Sequence, residues 1–229
     1  MKLSVIIPVY NEESTISQVL KKILEAPLEK EIIVVDDGST DRTSEILEHA
    51  RKKNADIITL HEAKINLGKG AAIRIGLKYV TGDIVIIQDA DLELDPAEYT
   101  SLVKPIQEGS SDVVFGSRFL KPNPRIPFKS RFANWILVRL ANLLYGLHLS
   151  DEATAYKVFR TPVIKSLNLR CMRFEFCPEV IARLAKAGHK IMEVPISYNP
   201  RTGIEGKKIR YVRDGLQAVW TLIKYRFRN

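Results

Sequence analysis

Cysteine is scarce in this sequence. Cys171 and Cys177 are the only two in 229 residues, and their spacing matches neither a redox nor a zinc pattern, which excludes a disulfide-built fold. Four histidines (His49, His61, His148 and His189) are scattered and suggest no zinc site. No uninterrupted apolar stretch approaches the roughly 20 residues that span a bilayer. Contact with a membrane would therefore be made at its surface. No signal peptide is read at Met1, so the thiols are expected to be free in a reducing cytoplasm.

What is present describes a folded globular chain, with 45% hydrophobic and 27% charged residues. The length suits one large α/β domain or two small ones. With no clear linker or repeat, a single domain over residues 1–229 is expected, with a ligand-binding half at 1–118 and a distinct half at 119–229. The formal charge is +8, and from Arg201 onward eight lysines and arginines face two acids. Such a skew calls for an anionic partner: nucleic acid, a phosphorylated substrate or an acidic membrane face.

Short apolar runs alternate with amphipathic ones. Strands are predicted at Leu3–Val9, Glu31–Val35, Asp56–Leu60, Asp83–Gln88 and Asp112–Ser117. Helices are predicted at Glu12–Glu25, Thr43–Lys53, Lys69–Val80 and Asp95–Gln107. Runs such as VIIPV, IIVV and IVII are those of strands buried on both faces. The alternation predicts right-handed crossovers and a mostly parallel α/β sheet flanked by helices. In the second half, helices are expected at Phe132–Leu147, Pro178–Lys186 and Gly215–Arg228, the last basic and amphipathic, with a strand near Ile191–Ile196.

Ligands bind such sheets beyond the carboxyl ends of the strands. Pro8, Tyr10, Asn11 and Glu12 follow the first strand, Asp36 and Asp37 the second, and Asp89 and Asp91 the fourth. All three groups should open onto one crevice. Adjacent carboxylates repel unless something positive or hydrogen-bonding faces them. A capped helix start accounts for Ser39, Thr40 and Asp41 but not for the Asp36–Asp37 pair. A metal ion, a ribose and a nucleobase in the crevice would account for it. In DAD, small Ala90 separates two carboxylates, which suit Mg²⁺ or Mn²⁺ shared with substrate phosphates.

SVIIPVYNE, VVDDGSTD, NLGKG and QDADLELDP, in this order over roughly the first 120 residues, resemble glycosyltransferase family 2 of the GT-A nucleotide-sugar fold. The resemblance implies that Pro8, Tyr10, Glu12, Asp36 or Asp37, and Ala90 bind the nucleotide. It implies that Asp89 and Asp91 handle ribose and metal, with Glu93 as a further metal ligand. GSRF, DEATAYKVFR, FEFCPE, KIMEVPISY and the Arg201–Lys208 loop resemble the polyprenyl- or dolichyl-phosphate hexosyltransferases. That branch transfers mannose or glucose from GDP-mannose or UDP-glucose. The chain departs from the mannosyl pattern in having Glu93 for Gln, RTGIEGKK for R-x-x-G-x-S-K, and Ala155 at a glycine position, which leaves base and sugar open.

A lipid monophosphate is largely ionised near neutral pH and needs little or no general base, so direct, inverting displacement is expected. Arg118 and Arg131, with Asp89 and Asp91, are the expected catalytic groups. Arg118, Arg131, Arg201 and Lys207 or Lys208 are expected to hold phosphates. Asp151, Tyr156 and Glu179 are candidates for the sugar pocket, although Tyr156 also reads as core and Glu179 as a helix-start acid. Gly68 and Gly70 read equally as a phosphate cradle or a plain turn. Trp135 and its neighbours, like the C-terminal helix, read as core or as an interfacial face that would attach the protein to the cytoplasmic side of a membrane. The alternatives are a family 2 enzyme with a soluble or glycan acceptor, a nucleotidyltransferase, and a nucleic-acid binder. The acid clusters disfavour the last, because they repel a phosphate backbone.

Overall fold

The computed structural model describes residues 1–201 and 211–228. Among them, one sheet contains β1 (Leu3–Val9), β2 (Lys30–Asp36), β3 (Ile58–Glu62), β4 (Ile84–Ile87), β5 (Val113–Ser117), β6 (Lys157–Arg160) and β7 (Met192–Pro195). Their spatial order is β3-β2-β1-β4-β6-β5-β7. All neighbouring pairs are parallel except those of β6, which runs antiparallel to both β4 and β5. The helices are α1 (Ile16–Glu25), α2 (Thr43–Lys53), α3 (Lys69–Gly76), α4 (Tyr99–Gln107), α5 (Phe128–Tyr145), α6 (Thr161–Ser166), α7 (Phe176–Lys186) and α8 (Tyr211–Phe227).

The continuous apolar runs have two core faces to fill. Side chains alternate across a strand, so Val5, Ile7, Ile32, Val34, Ile84 and Ile86 join α1, α2 and α4 on one side. Ile6, Ile33, Val35, Val85 and Ile87 join α3, α5, α6, α7 and α8 on the other. All four residues of β4 are buried, each contributing roughly 1.5–3 kcal/mol. Helices on both faces leave the carboxyl edge of the sheet as the open end.

Three departures from the sequence expectations have local causes. The first helix starts at Ile16 rather than Glu12, because Asn11 takes a positive φ of 48° and Glu12 carries the turn into the helix. The fourth helix opens with a short 3₁₀ turn, Pro96–Glu98, where Asp95 accepts from the Ala97 N–H. The antiparallel β6 was not expected at all. It is four residues long and begins with the fully buried Lys157. The Lys157 ammonium donates to the Glu152 and Thr154 carbonyls and lies 4.6 Å from the Phe115 ring centre.

Candidate active site

A cavity of about 550 Å³ opens beyond the carboxyl ends of β1, β2 and β4. Pro8, Tyr10, Glu12, Asp37, Asp89, Ala90, Asp91, Glu93, Arg118 and Arg201 all line it. The acids that the sequence scatters over 80 residues are thus brought to one place by parallel strand ends. Lys207 and Lys208 lie outside the described residues.

The loop after β1 is tied to the loop after β2. The Asn11 N–H donates to Ser39 Oγ, and the Thr40 N–H donates to Asn11 Oδ1 at 2.8 Å. The Glu12 N–H donates to Thr43 Oγ1. Asp41 accepts from Glu13 and Thr43 N–H groups. The hydroxyls of DDGSTD therefore brace the neighbouring loop as well as starting α2.

The two aspartates of that motif have different tasks. Asp36 is buried and accepts from the Ser39 N–H, the Ser39 hydroxyl and the Ser44 hydroxyl. It does not line the cavity, unlike Asp37, the other of the two expected at the nucleotide. Its turned-in carboxylate is satisfied by its own loop. Asp37 lines the cavity and accepts from the Leu67 and Gly68 N–H groups at 2.8 and 2.7 Å. Burial pushes its carboxyl up, against those hydrogen bonds.

NLGKG is a close-packing device. Gly68 has φ +103°, and a Cβ there would meet the Met172 carbonyl oxygen at 2.5 Å. The Gly70 and Ala71 N–H groups donate to the Arg173 and Met172 carbonyls. The start of α3 is thereby occupied by protein acceptors and leaves these amides no phosphate to bind. Lys69, between the glycines, pairs with Asp89 at 2.5 Å and lines the cavity. Burial alone would lower its pKa, but Asp89, Cys177 and Asp91 hold it above the usual value. Sequence reasoning passed over Lys69, although it stands inside a motif singled out for its glycines.

At the DAD corner, Arg201 Nη2 bridges Glu12 Oε1 at 2.9 Å and Asp91 Oδ2 at 3.0 Å. The Asp91 carboxyl is pushed up to about 7, by burial first and then by Asp89 and Glu93. The corner holds more negative charge than a half-buried wall tolerates, and a divalent cation would relieve it. Glu93 is less suited to that task than expected. Its Oε2 accepts from the Tyr198 hydroxyl and its Oε1 from the Arg201 N–H. It anchors the 198–201 segment, and among the described residues no three acids, histidines or cysteines form a metal cage. Asp89 and Asp91 remain as a two-carboxylate set, which fits a hard cation that keeps waters and substrate phosphates.

Arg118 stands on the cavity wall with Nε and Nη2 each 2.7 Å from Asp151. Its guanidinium also lies 5.1 Å from the Tyr198 ring centre. Asp151 is fully buried and does not line the cavity. Expected at the sugar, its carboxylate here holds the Arg118 guanidinium. Tyr156 is buried core, its hydroxyl donating to Gln88 Oε1 at 2.8 Å beside that of Tyr99. Glu179 faces away from the cavity and accepts from the Cys171 N–H, Arg183 and Tyr225, tying α7 to α8. Arg131 is exposed outside the cavity and donates to the Asn123 carbonyl. Glu152, next to Asp151, was not anticipated and does line the cavity.

A family model described as "Glycosyl transferase family 2" matches residues 4–167. The undecaprenyl-phosphate 4-deoxy-4-formamido-L-arabinose transferase of Edwardsiella ictaluri is 32% identical over 217 residues, covering 90% of this chain and 62% of that protein. The dodecaprenyl-phosphate galacturonate synthase of Rhizobium johnstonii is 27% identical over 208 residues, covering 88% and 60%. The chain thus spans under two thirds of either relative. The solved glucosyl-3-phosphoglycerate synthase of Mycobacterium tuberculosis, in complex with Mn²⁺, UDP and phosphoglyceric acid, superposes with a TM-score of 0.72 at 20% identity. That match covers 100% of this chain and 79% of that one, and it speaks to the fold.

Proposed function

The chain belongs to glycosyl transferase family 2, and from that premise we propose that it transfers a hexose, mannose or glucose, from GDP-mannose or UDP-glucose to a polyprenyl or dolichyl phosphate. The observation that carries this reading is the single cavity in which Asp89 and Asp91 face Arg118 and Arg201. Acids suit the metal-bound pyrophosphate of a donor, and guanidinium groups suit an acceptor phosphate. The two relatives named for polyprenyl phosphates support the acceptor class.

Pro8, Tyr10, Glu12 and Asp37 take the nucleoside on the β1–β2 side. Asp91, with Asp89, would hold Mg²⁺ or Mn²⁺, which as a Lewis acid offsets charge on the departing nucleoside diphosphate. Lys69 lies against Asp89 and adds positive charge to the same corner. Arg118, held by Asp151, points a preformed guanidinium at the acceptor phosphate. Its pair with Asp151 uses Nε and Nη2 and spares Nη1. An ionised phosphate oxygen already serves as nucleophile, so the chain needs to align it rather than deprotonate it. In-line attack inverts the anomeric centre.

Arg201 would leave the acids for a phosphate once a cation takes its place on Asp91. Lys207 and Lys208 follow it in sequence. The test is incubation with labelled GDP-mannose or UDP-glucose, with and without polyprenyl phosphate and Mn²⁺. Label extracted into organic solvent from one donor, dependent on lipid and metal, is the expected result. Label that stays in water-soluble product would favour a soluble or glycan acceptor instead.

A further inference from the structure

Glu152 is 1% exposed, yet it lines the cavity. Its Oε1 is shielded from solvent and has no hydrogen-bond partner among the described residues. Its backbone is fixed: the Glu152 N–H donates to Asn134 Oδ1 on α5, and its carbonyl accepts from Lys157. Leaving such an oxygen unsatisfied is costly, and the residue that carries it lines the cavity.

Position assigns the partner. β1 and β2, whose loops carry the nucleoside residues, lie on one side of β4, and β6 lies on the other. Glu152 shortly precedes β6, so it sits across the Asp89–Asp91 corner from the nucleoside end. A donor laid with its pyrophosphate at that corner extends its sugar toward this side.

We propose that Glu152 is a specificity-determining residue for the transferred sugar, its carboxyl bonding a ring hydroxyl of a neutral hexose. This rests on the donor reading above. Burial, against the pull of Lys157, pushes the carboxyl up to about 7, so near neutral pH a large share is protonated. A protonated carboxyl both donates and accepts, as a sugar hydroxyl does.

Titration calorimetry with UDP, UDP-glucose, GDP and GDP-mannose, in Mn²⁺, tests the assignment on wild type, Glu152→Gln and Glu152→Leu. For the accepted donor, Glu152→Leu should weaken nucleotide-sugar binding by about tenfold or more while leaving the nucleoside diphosphate alone unaffected. Glu152→Gln should retain most of the sugar's contribution. The Leu variant should melt at or above the wild-type temperature, because it removes an orphan polar group. Wild-type affinity for the nucleotide sugar in Glu152→Leu overturns the proposal. Equal weakening of sugar nucleotide and nucleotide, with a lowered melting temperature, overturns it in favour of a structural role. A wild-type protein that binds both nucleotides but gains nothing from either sugar also overturns it. One that binds neither nucleotide defeats the donor reading and this assignment with it.

Discussion

Asp151 is the residue whose task depends most on its surroundings. It has no exposed surface and shares a bidentate pair with Arg118, while Glu193 accepts from its N–H. Removing one member of a buried pair strands the other, at about 3–5 kcal/mol. Asp151→Ala should lose that much stability in denaturant unfolding and should also lower acceptor turnover, because Arg118 loses its fixed orientation. Tyr156→Phe tests the opposite assignment. Its hydroxyl only shares Gln88 with Tyr99, so the variant should lose about 1 kcal/mol with donor KM unchanged. A raised KM would return Tyr156 to the sugar site. The motif position of Asp151 and Tyr156 was legible in the sequence, whereas the side of the wall each faces was not. Between them, Glu152, Ala153 and Ala155 line the cavity, while Asp151 and Tyr156 turn into the protein.

At the scale of elements, β1, β2 and the turn before β4 are clamped by Glu31. Burial would raise its pKa, but hydrogen bonds from Lys2, Ser4 and Thr81 bring it down to about 2. A carboxyl depressed in the folded state stabilises the fold above its ordinary value near 4.5. That contribution is lost as pH falls from there toward 2. Glu31→Gln should therefore be less stable than wild type at pH 7, and the gap should narrow on acidification. A gap constant between pH 7 and pH 3 in urea unfolding would contradict the clamp. β1, β2, β4 and β5 were readable because each is built on an apolar run closed by a turn, whereas β3, with ITLHE and one buried residue, lies two residues later than its expected Asp56–Leu60. β6 was not, because a four-residue strand headed by lysine carries no such signal. The lysine is tolerated there through the Glu152 and Thr154 carbonyls of the turn just before it and the Phe115 ring of β5.

For the whole molecule, the unresolved matter of the sequence was whether the aromatic helix is core or surface, and the structure divides it. Val138 and Ala141 of α5 are buried, while Phe128, Phe132 and Trp135 form an exposed stacked ladder with Arg139 over Trp135. Trp220 of the neighbouring α8 is 62% exposed. Among the described residues no helix is long and apolar enough to cross a membrane. Exposed aromatics beside basic residues, in a chain of charge +8, suit a layer of anionic lipid heads. The wild-type protein should co-sediment with anionic vesicles at low salt, and a Phe132→Ser, Trp135→Ser double variant should do so markedly less. Equal pelleting of the two proteins would remove α5 from the membrane account.

The central claim is that the acidic tips of neighbouring strands gather one divalent ion together with the nucleoside diphosphate. Mn²⁺ binding followed by electron paramagnetic resonance, with UDP and then GDP present, tests it on wild type and Asp91→Asn. The account predicts nucleotide-dependent Mn²⁺ binding by the wild type and at least about a tenfold loss of affinity in the variant. Equal Mn²⁺ affinity in the two proteins would contradict it.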